Sequence, residues 1–199
     1  MTTGSSSQVV HSVVDVNLWA AQLPGVDPVR PARCPCCARA GRPVGGPVGI
    51  VGHGTRVRQL RGPASVGQVP SLRQILVRRY RCRGCGGVLV VVPRGVLPRR
   101  HFSAGAIALA LFRLAGGARV VDIRREIGGQ GETAAWPTMR RWLGAGRQSR
   151  LWACVRASPP DWGPRQVAER IAMTLVAHAP AVHGAPLDVR VFAGAALAA

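Results

Sequence analysis

The segment Arg78-Arg-Tyr-Arg-Cys-Arg-Gly-Cys85 begins at the end of a β-strand pattern and closes with a cysteine pair. Polar and apolar residues alternate over residues 72–81, which is typical of a strand with one buried face. A second apolar run follows at residues 88–92. The sequence therefore predicts a β-hairpin that carries the cysteine pair at its turn.

An earlier cysteine pair, in Cys34-Pro-Cys-Cys37, has the same two-residue spacer as Cys82 and Cys85. Two thiolates with this spacing can reach one tetrahedral ion, with Zn–S bonds of about 2.3 Å. We therefore predict that Cys34, Cys37, Cys82 and Cys85 hold one structural Zn²⁺. Four thiolates leave no coordination position for a reactive water, so zinc chemistry is not expected.

Other arrangements of these residues remain open. Cys36 is an adjacent thiol that can compete for the ion, and His53 can replace one of the ligands. The two pairs can also be unrelated to each other or form a redox pair. Cys154 stands alone beside Trp152 and is expected to be a small buried residue.

The charge of the chain is strongly unbalanced. It has 199 residues, 27 arginines and no lysine against 8 acidic residues, and a formal net charge of +19. Biased genome composition accounts for part of this excess of arginine. A polyanionic partner is nevertheless favoured. Nucleic acid is favoured over an anionic membrane because the arginines are spread along the chain. No signal peptide and no run long enough to span a bilayer is visible, so we expect a cytoplasmic, nucleoid-associated protein.

The sequence predicts a small α+β protein of two modules, with irregular termini. We interpret residues 1–33 as a flexible leader and residues 34–98 as a zinc ribbon with a long insertion rich in glycine and proline. Residues 99–147 are interpreted as a trihelical helix-turn-helix, and residues 148–199 as a linker and a weakly defined tail.

The third helix of this unit, which begins at Pro137, is the predicted DNA-reading element. Its apolar residues Met139, Trp142 and Leu143 are expected to face inward, which leaves the opposite face for the major groove. The segment 128–136 is longer than the usual turn before such a helix. The predicted DNA contacts are residues of this helix, of the hairpin and of the junction between the modules: Thr138, Arg140, Arg141, Arg78, Arg79, Arg99 and Arg100.

Five motifs in order resemble a known family: Cys34-Pro-Cys-Cys37, His53-Gly-Thr-Arg56, Arg78-Arg-Tyr-Arg-Cys-Arg-Gly-Cys85, Leu97-Pro-Arg-Arg-His-Phe-Ser103 and Pro137-Thr-Met-Arg-Arg-Trp-Leu143. Together they are similar to a bacterial family related to insertion-sequence transposases, in which a zinc ribbon precedes a helix-turn-helix. The resemblance covers about residues 34–146 and implies recognition of transposon ends or a related DNA site. The chain departs from the pattern at Ala38, where a glycine usually closes the first knuckle, and in the long segment 128–136.

These features predict a DNA-binding protein that recognises double-stranded DNA as a transposase-derived module or a transcriptional regulator. Transposases of the common type hold two Mg²⁺ ions on three carboxylates of an RNase H-like fold. Only Asp161, Glu169 and Asp188 follow residue 147, and the remaining residues 148–199 are too short a chain to build that fold, so no enzyme activity is expected of the chain alone. One alternative is the recognition subunit of a split or truncated transposase whose separate catalytic chain supplies the chemistry. Another is a zinc-dependent module that binds RNA or an acidic protein.

Overall fold

The structure is a computed structural model that describes residues 7–128, 136–179 and 184–199. Within these ranges the fold is α+β, with a four-stranded mixed sheet and six helices. The elements in chain order are β1 Gln8–Asp15, α1 Val16–Ala21, β2 Ile50–Gly62, β3 Ser71–Cys82, β4 Val88–Arg94, α2 Ala104–Ala115, α3 Val120–Gly128, α4 Pro137–Arg147, α5 Pro164–Ala177 and α6 Leu187–Leu197.

The chain divides into two compact units, each with its own core. The first unit comprises Met1–Arg58 and Gln74–Arg94, and the second comprises Gln59–Arg73 and Gly95–Ala199. Strands β2 and β3 therefore contribute residues to both units.

The sheet has the strand order β1-β4-β3-β2. β4 pairs in parallel with β1, from Gln8 opposite Leu89 to His11 opposite Val92, and antiparallel with β3 on its other side. β4 is a central strand, and its successive residues Leu89–Val92 are all buried, which means that both faces of the sheet are covered at this strand. This explains why residues 88–92 read as a continuous apolar run and not as an alternating one.

The N-terminal segment is anchored to this sheet and is not a flexible leader. Asp15 caps α1 by accepting a hydrogen bond from the backbone N–H of Asn17. Trp19 of α1 is 1% exposed, and its Nε1 donates to the carbonyl oxygen of Leu76 at 2.7 Å. The β-branched valines of Gln8–Asp15 favour a strand, and β4 offers them an unpaired edge.

In the second unit, α2 is surrounded on all sides. It packs against α3, α5 and α6, while α4 packs against α5. Every residue from Ala104 to Leu111 is buried, so this helix has no solvent-facing stripe. A helix that is apolar all round needs neighbours on every face, and two further helices cannot supply them.

The predicted fold of a zinc ribbon followed by a trihelical helix-turn-helix, with irregular termini, is therefore wrong. The C-terminal residues form α5 and α6, which complete the core around α2, and the N-terminal residues form β1 and α1. Of the long segment predicted at 128–136, residues 129–135 lie outside the described residues. No helix in the described part of the chain is both long and apolar enough to cross a membrane.

The contact between α5 and α6 depends on Gly194. A Cβ at this position would lie 1.9 Å from the carbonyl oxygen of Leu175, so the two helix backbones approach too closely for any side chain. We expect Gly194→Ala to lower the free energy of unfolding by about 3 kcal/mol, because backbone atoms cannot move aside cheaply.

The matched control is Gly144→Ala on α4, where the added Cβ would meet no atom within 4 Å. This substitution should raise stability by about 0.5–1 kcal/mol, because alanine is the better helix former. Urea unfolding measures both values. Equal effects at the two positions would show that the α5–α6 contact is looser than described.

Candidate metal centre

Four cysteines, two from each chain segment of the first unit, lie together in one cluster. The Sγ atoms of Cys34, Cys37, Cys82 and Cys85 all lie within 4.8 Å of one another. Cys34 Sγ is 3.7 Å from Cys85 Sγ, and Cys37 Sγ is 3.6 Å from Cys82 Sγ. Bonds of about 2.3 Å to a tetrahedral zinc place neighbouring sulfurs about 3.8 Å apart. The cluster therefore fits a tetrahedral metal ion, and its sulfurs can hold one.

The two cysteine pairs have the same backbone geometry. The N–H of Cys34 donates to Arg39 O at 2.9 Å, and the N–H of Ala38 donates back to Cys34 O at 2.8 Å. In the second pair the N–H of Cys82 donates to Gly87 O at 3.0 Å, and the N–H of Gly86 donates to Cys82 O at 2.9 Å. Each pair thus forms the same tight turn, which we call a knuckle. The N–H of Gly84 also donates to Cys82 Sγ at 3.3 Å.

The knuckles place matching residues in the left-handed conformation. Gly86 has a φ of +73°, and Ala38, at the corresponding position of the first knuckle, has a φ of +56°. Glycine adopts this conformation without strain, whereas alanine does so at a cost of about 1 kcal/mol. Alanine at position 38 therefore keeps the turn, but the backbone at this residue is strained.

The other sulfur and nitrogen candidates lie outside the four-cysteine cluster. Cys36 is exposed, and its Sγ lies close to the rim, since a Cβ built on Gly87 would be 3.3 Å from Cys85 Sγ and 3.6 Å from Cys36 Sγ. His53 is exposed on β2 and is not part of the cluster. Cys154, which was expected to be buried, is half-buried in the second unit.

The thiols of the cluster ionise unequally. Burial raises the pKa of Cys34, but backbone N–H groups of Cys36 and Cys37 and the neighbouring thiols outweigh it and bring the pKa to about 7. For Cys37, a backbone hydrogen bond from Arg39 lowers the pKa, while burial and the other three thiols raise it to about 12. The thiolate form of Cys34 is thus favoured and ionisation of Cys37 is opposed. A bound cation would supply the positive charge that lets all four sulfurs ionise.

An arginine that the sequence did not single out lies across the centre. A Cβ at Gly84 would be 2.7 Å from Arg39 Nε, and one at Gly49 would be 3.2 Å from Arg39 Cγ. The Arg39 side chain therefore runs over the turn of the second knuckle. The sequence shows that Arg39 directly follows the first knuckle, which was the available signal that it lies near the metal centre. Its contact with Gly84 depends on the folded chain.

The predicted DNA contacts are divided between the two units. Arg78 and Arg79 lie half-buried on β3, and Arg78 Nε donates to the carbonyl oxygen of Pro24 at 2.9 Å. The other five belong to the second unit: Arg99 exposed and Arg100 half-buried before α2, and on α4 Thr138 half-buried with Arg140 and Arg141 exposed.

The orientation of α4 follows from its aromatic contacts. Trp142 is 2% exposed and forms edge-to-face pairs with Phe102 at 5.0 Å and with Trp136 at 5.1 Å between ring centroids. Each such pair contributes about 0.5–1.5 kcal/mol beyond its buried area. Because Trp142 is fixed inward, Arg140 and Arg141 lie on the solvent side of α4.

Comparisons of the chain with protein-family models, with curated proteins and with solved structures find no match. Within the described residues, the four cysteines are the only group of three or more histidine, cysteine or acidic residues placed to hold a metal ion. The interpretation of the site therefore rests on its own geometry.

The ligand set can be tested by substitution. Cys82→Ser should abolish stoichiometric metal binding, since Cys82 is fully buried and its Sγ lies 3.6 Å from that of Cys37. Cys36→Ser and Cys154→Ser are the controls and should retain about one ion per chain. Elemental analysis of the purified proteins measures the number of metal ions per chain. Full retention by the Cys82 variant, or loss by the Cys36 variant, would exclude this ligand set.

The knuckle strain gives a second test. Ala38→Gly should raise the free energy of unfolding by up to about 1 kcal/mol, because it removes the left-handed alanine. Gly86→Ala should lower it by about 1 kcal/mol for the converse reason. Urea unfolding of the metal-loaded protein measures both. Effects of the same sign would show that the two knuckles are not equivalent.

Proposed function

We propose that this chain is a DNA-binding protein whose first unit is stabilised by one structural Zn²⁺ on Cys34, Cys37, Cys82 and Cys85. The observation that carries the proposal is the distribution of charge around this centre. Residues 28–121 contain 17 arginines and no aspartate or glutamate. Positive charge of this density favours an external polyanion, and duplex DNA presents about one negative charge per 1.7 Å of helix axis.

Zinc is the ion that best suits the donor set. Thiolates are soft ligands that favour zinc over calcium, magnesium or manganese, and four of them in a tetrahedron form a closed structural site. Such a site contributes on the order of 10 kcal/mol of apparent folding free energy. This is a large contribution for a unit whose buried core has few members: Trp19, Val29, Cys34, Ile50, Tyr80, Cys82, Leu89 and Val91.

The charge of the first unit cannot be neutralised within it. Its sequence has eleven arginines and two aspartates, and no glutamate. Asp27 is already paired with Arg30 and Arg42, and these guanidinium groups hold its pKa below the usual range, chiefly through the hydrogen bond from Arg30. Arg81 and Arg83, exposed at the second knuckle, have no carboxylate within ion-pair distance among the described residues. We propose that they contact phosphates.

Three acidic residues of the second unit are paired within it. Arg113 is paired with Glu126 at 2.9 Å and with Asp188 at 3.2 Å, and Arg119 is paired with Asp122 at 2.7 Å. The pairs of Arg113 join α2 to α3 and α6. Among the described residues, no carboxylate lies within ion-pair distance of Arg140 or Arg141 on α4. Arg140 and Arg141 are therefore our candidates for DNA contact in this unit.

We propose no catalytic role for the chain alone. Of the three acidic residues after residue 147, Asp188 is engaged with Arg113. The purified protein should accordingly neither nick nor join plasmid DNA in the presence of Mg²⁺ or Mn²⁺. Metal-dependent cleavage that Asp161→Asn or Glu169→Gln abolishes would contradict this.

The function is tested by titrating the zinc-loaded protein against duplex DNA, single-stranded RNA and an acidic protein at matched salt. We expect the tightest binding to duplex DNA, with an affinity that falls by several orders of magnitude over a few-fold rise in salt. Tighter binding to RNA or to the acidic protein would overturn the proposal in favour of that partner.

The proposed phosphate contacts have a matched control. Replacing Arg81 and Arg83 together by alanine should flatten the plot of log affinity against log salt by about two units, since each lost contact removes about 0.9. Arg119→Ala removes an exposed arginine that is already paired with Asp122, and it should leave the slope unchanged. Equal slopes for all three proteins would show that the knuckle arginines do not contact DNA.

A further inference from the structure

The side chain of Arg39 runs between two glycines, Gly49 and Gly84, which we call the glycine slot. A Cβ built on Gly49 would lie 3.2 Å from Arg39 Cγ and 3.3 Å from its Cδ. One built on Gly84 would lie 3.1 Å from Arg39 Cδ and 2.7 Å from its Nε. The N–H of Arg83 donates to the carbonyl oxygen of Gly49 at 2.8 Å, which joins the two chain segments that form the slot. The stem of Arg39 therefore occupies space that a larger residue on either wall would fill.

The guanidinium of Arg39 lies at the Gly84 end of the glycine slot and is available to a ligand. Arg39 is exposed, and within the part of the chain that the structure describes its side chain forms no ion pair and no hydrogen bond. The next arginine along the chain, Arg42, is instead paired with Asp27 at 2.7 Å. Ordering a long exposed side chain opposes binding, and the slot confines the stem of Arg39 before any ligand arrives.

The glycine slot carries a positive charge from the first knuckle to the second. Arg39 directly follows the first knuckle, while its Cζ lies 3.4 Å from the Cβ position of Gly84, between Arg83 and Cys85 in the second. Two arginines from different knuckles thus occupy neighbouring positions, and neither has a carboxylate within ion-pair distance among the described residues. Like charges brought together repel each other, and an anion that contacts both relieves this repulsion. Phosphate suits them, because the planar guanidinium binds it with paired hydrogen bonds.

We propose that Arg39 is a preorganised phosphate contact, so that the two knuckles form one binding surface for the backbone of duplex DNA. The inference rests on the proposed DNA-binding function and deepens it, since it adds a first-knuckle residue to Arg81 and Arg83 of the second. Arg39 reaches Gly84 because the first knuckle is folded against the second. Gathering of the four cysteines by a metal ion would therefore also assemble the phosphate-binding surface.

The test compares the salt dependence of duplex binding among zinc-loaded, full-length variants. Arg39→Ala should lower the affinity about eightfold at about 0.1 M salt and flatten the plot of log affinity against log salt by about 0.9, since it removes one phosphate contact. Arg39→Lys should keep the parental slope, because an ammonium group also neutralises one phosphate. Arg42→Ala is the matched control: it removes an exposed arginine that is already paired with Asp27, and it should leave the slope unchanged.

Gly84→Ala separates the position of the guanidinium from its charge. The three atoms nearest to the added Cβ all belong to the Arg39 side chain, which can move aside, and the N–H at position 84 is retained for Cys82 Sγ. This variant keeps every arginine, yet it should lower the affinity about threefold or more, because the displaced side chain must be ordered again on binding. In the Arg39→Ala background the same change should alter the affinity less than about twofold, since no side chain is left to displace. The zinc content of each variant is measured alongside.

The outcomes separate this inference from the proposed function. If the parent binds duplex with a steep salt dependence and zinc-replete Gly84→Ala binds as the parent does, the slot positions no DNA contact. The inference is then overturned, whatever Arg39→Ala does, while DNA binding stands. A further loss of affinity when Gly84→Ala is added to Arg39→Ala would also overturn it, because the methyl group would then act on the knuckle itself. If the parent binds no duplex, both proposals fail.

Discussion

The first unit depends on two cysteine knuckles that are distant in the chain, and the fold must bring their four Sγ atoms within 4.8 Å of one another. Cys37 and Cys82 are separated by a long segment that is rich in glycine and proline up to Pro70 and that contains β2 and most of β3. The β3–β4 pairing fixes the second knuckle at a hairpin turn. Gly49 links this turn to the chain that follows the first knuckle, since its carbonyl oxygen accepts from Arg83 N–H at 2.8 Å and its N–H donates to Gly41 O at 3.0 Å. Closing this loop around an ion would let a small core hold the sheet together.

The features that could be predicted from the sequence are those that residues close together in the chain determine. The cysteine spacing predicted a cluster that can bind a metal ion, and alternation over residues 72–81 predicted the strand that precedes the second knuckle; both are present. The inward orientation of Trp142 also followed from local spacing and is confirmed by its burial. Each of these features requires only residues close together in the chain, or a chemical preference as strong as that of thiolates for zinc.

What could not be predicted depends on partners distant in the chain. Val9 lies opposite Val90, so β1 exists as a strand because β4 offers an edge some 80 residues away. The packing of α5 and α6 around α2 is likewise fixed by close approaches, such as Gly194 against Leu175 and Gly105 against the ring of Phe192. Glycine is a poor helix former, so the sequence suggests helix ends at these positions. In the fold these glycines instead allow close contact between neighbouring helices. The unbroken apolar character of residues 104–112 was the signal that α2 needed more than two neighbours.

The metal centre and the arginine excess are physically linked. Four thiolates around a divalent cation carry a net charge of about −2, and this charge would lie beside Arg39, whose side chain crosses the second knuckle. The sulfurs would therefore offset part of the repulsion among the arginines that fold around them, in a unit with only two carboxylates. Since two negative charges cannot neutralise eleven arginines, the unit keeps a positive charge, part of it on the exposed Arg81 and Arg83. The same ion that closes the fold would then also hold a basic surface in the fixed arrangement that a polyanion requires.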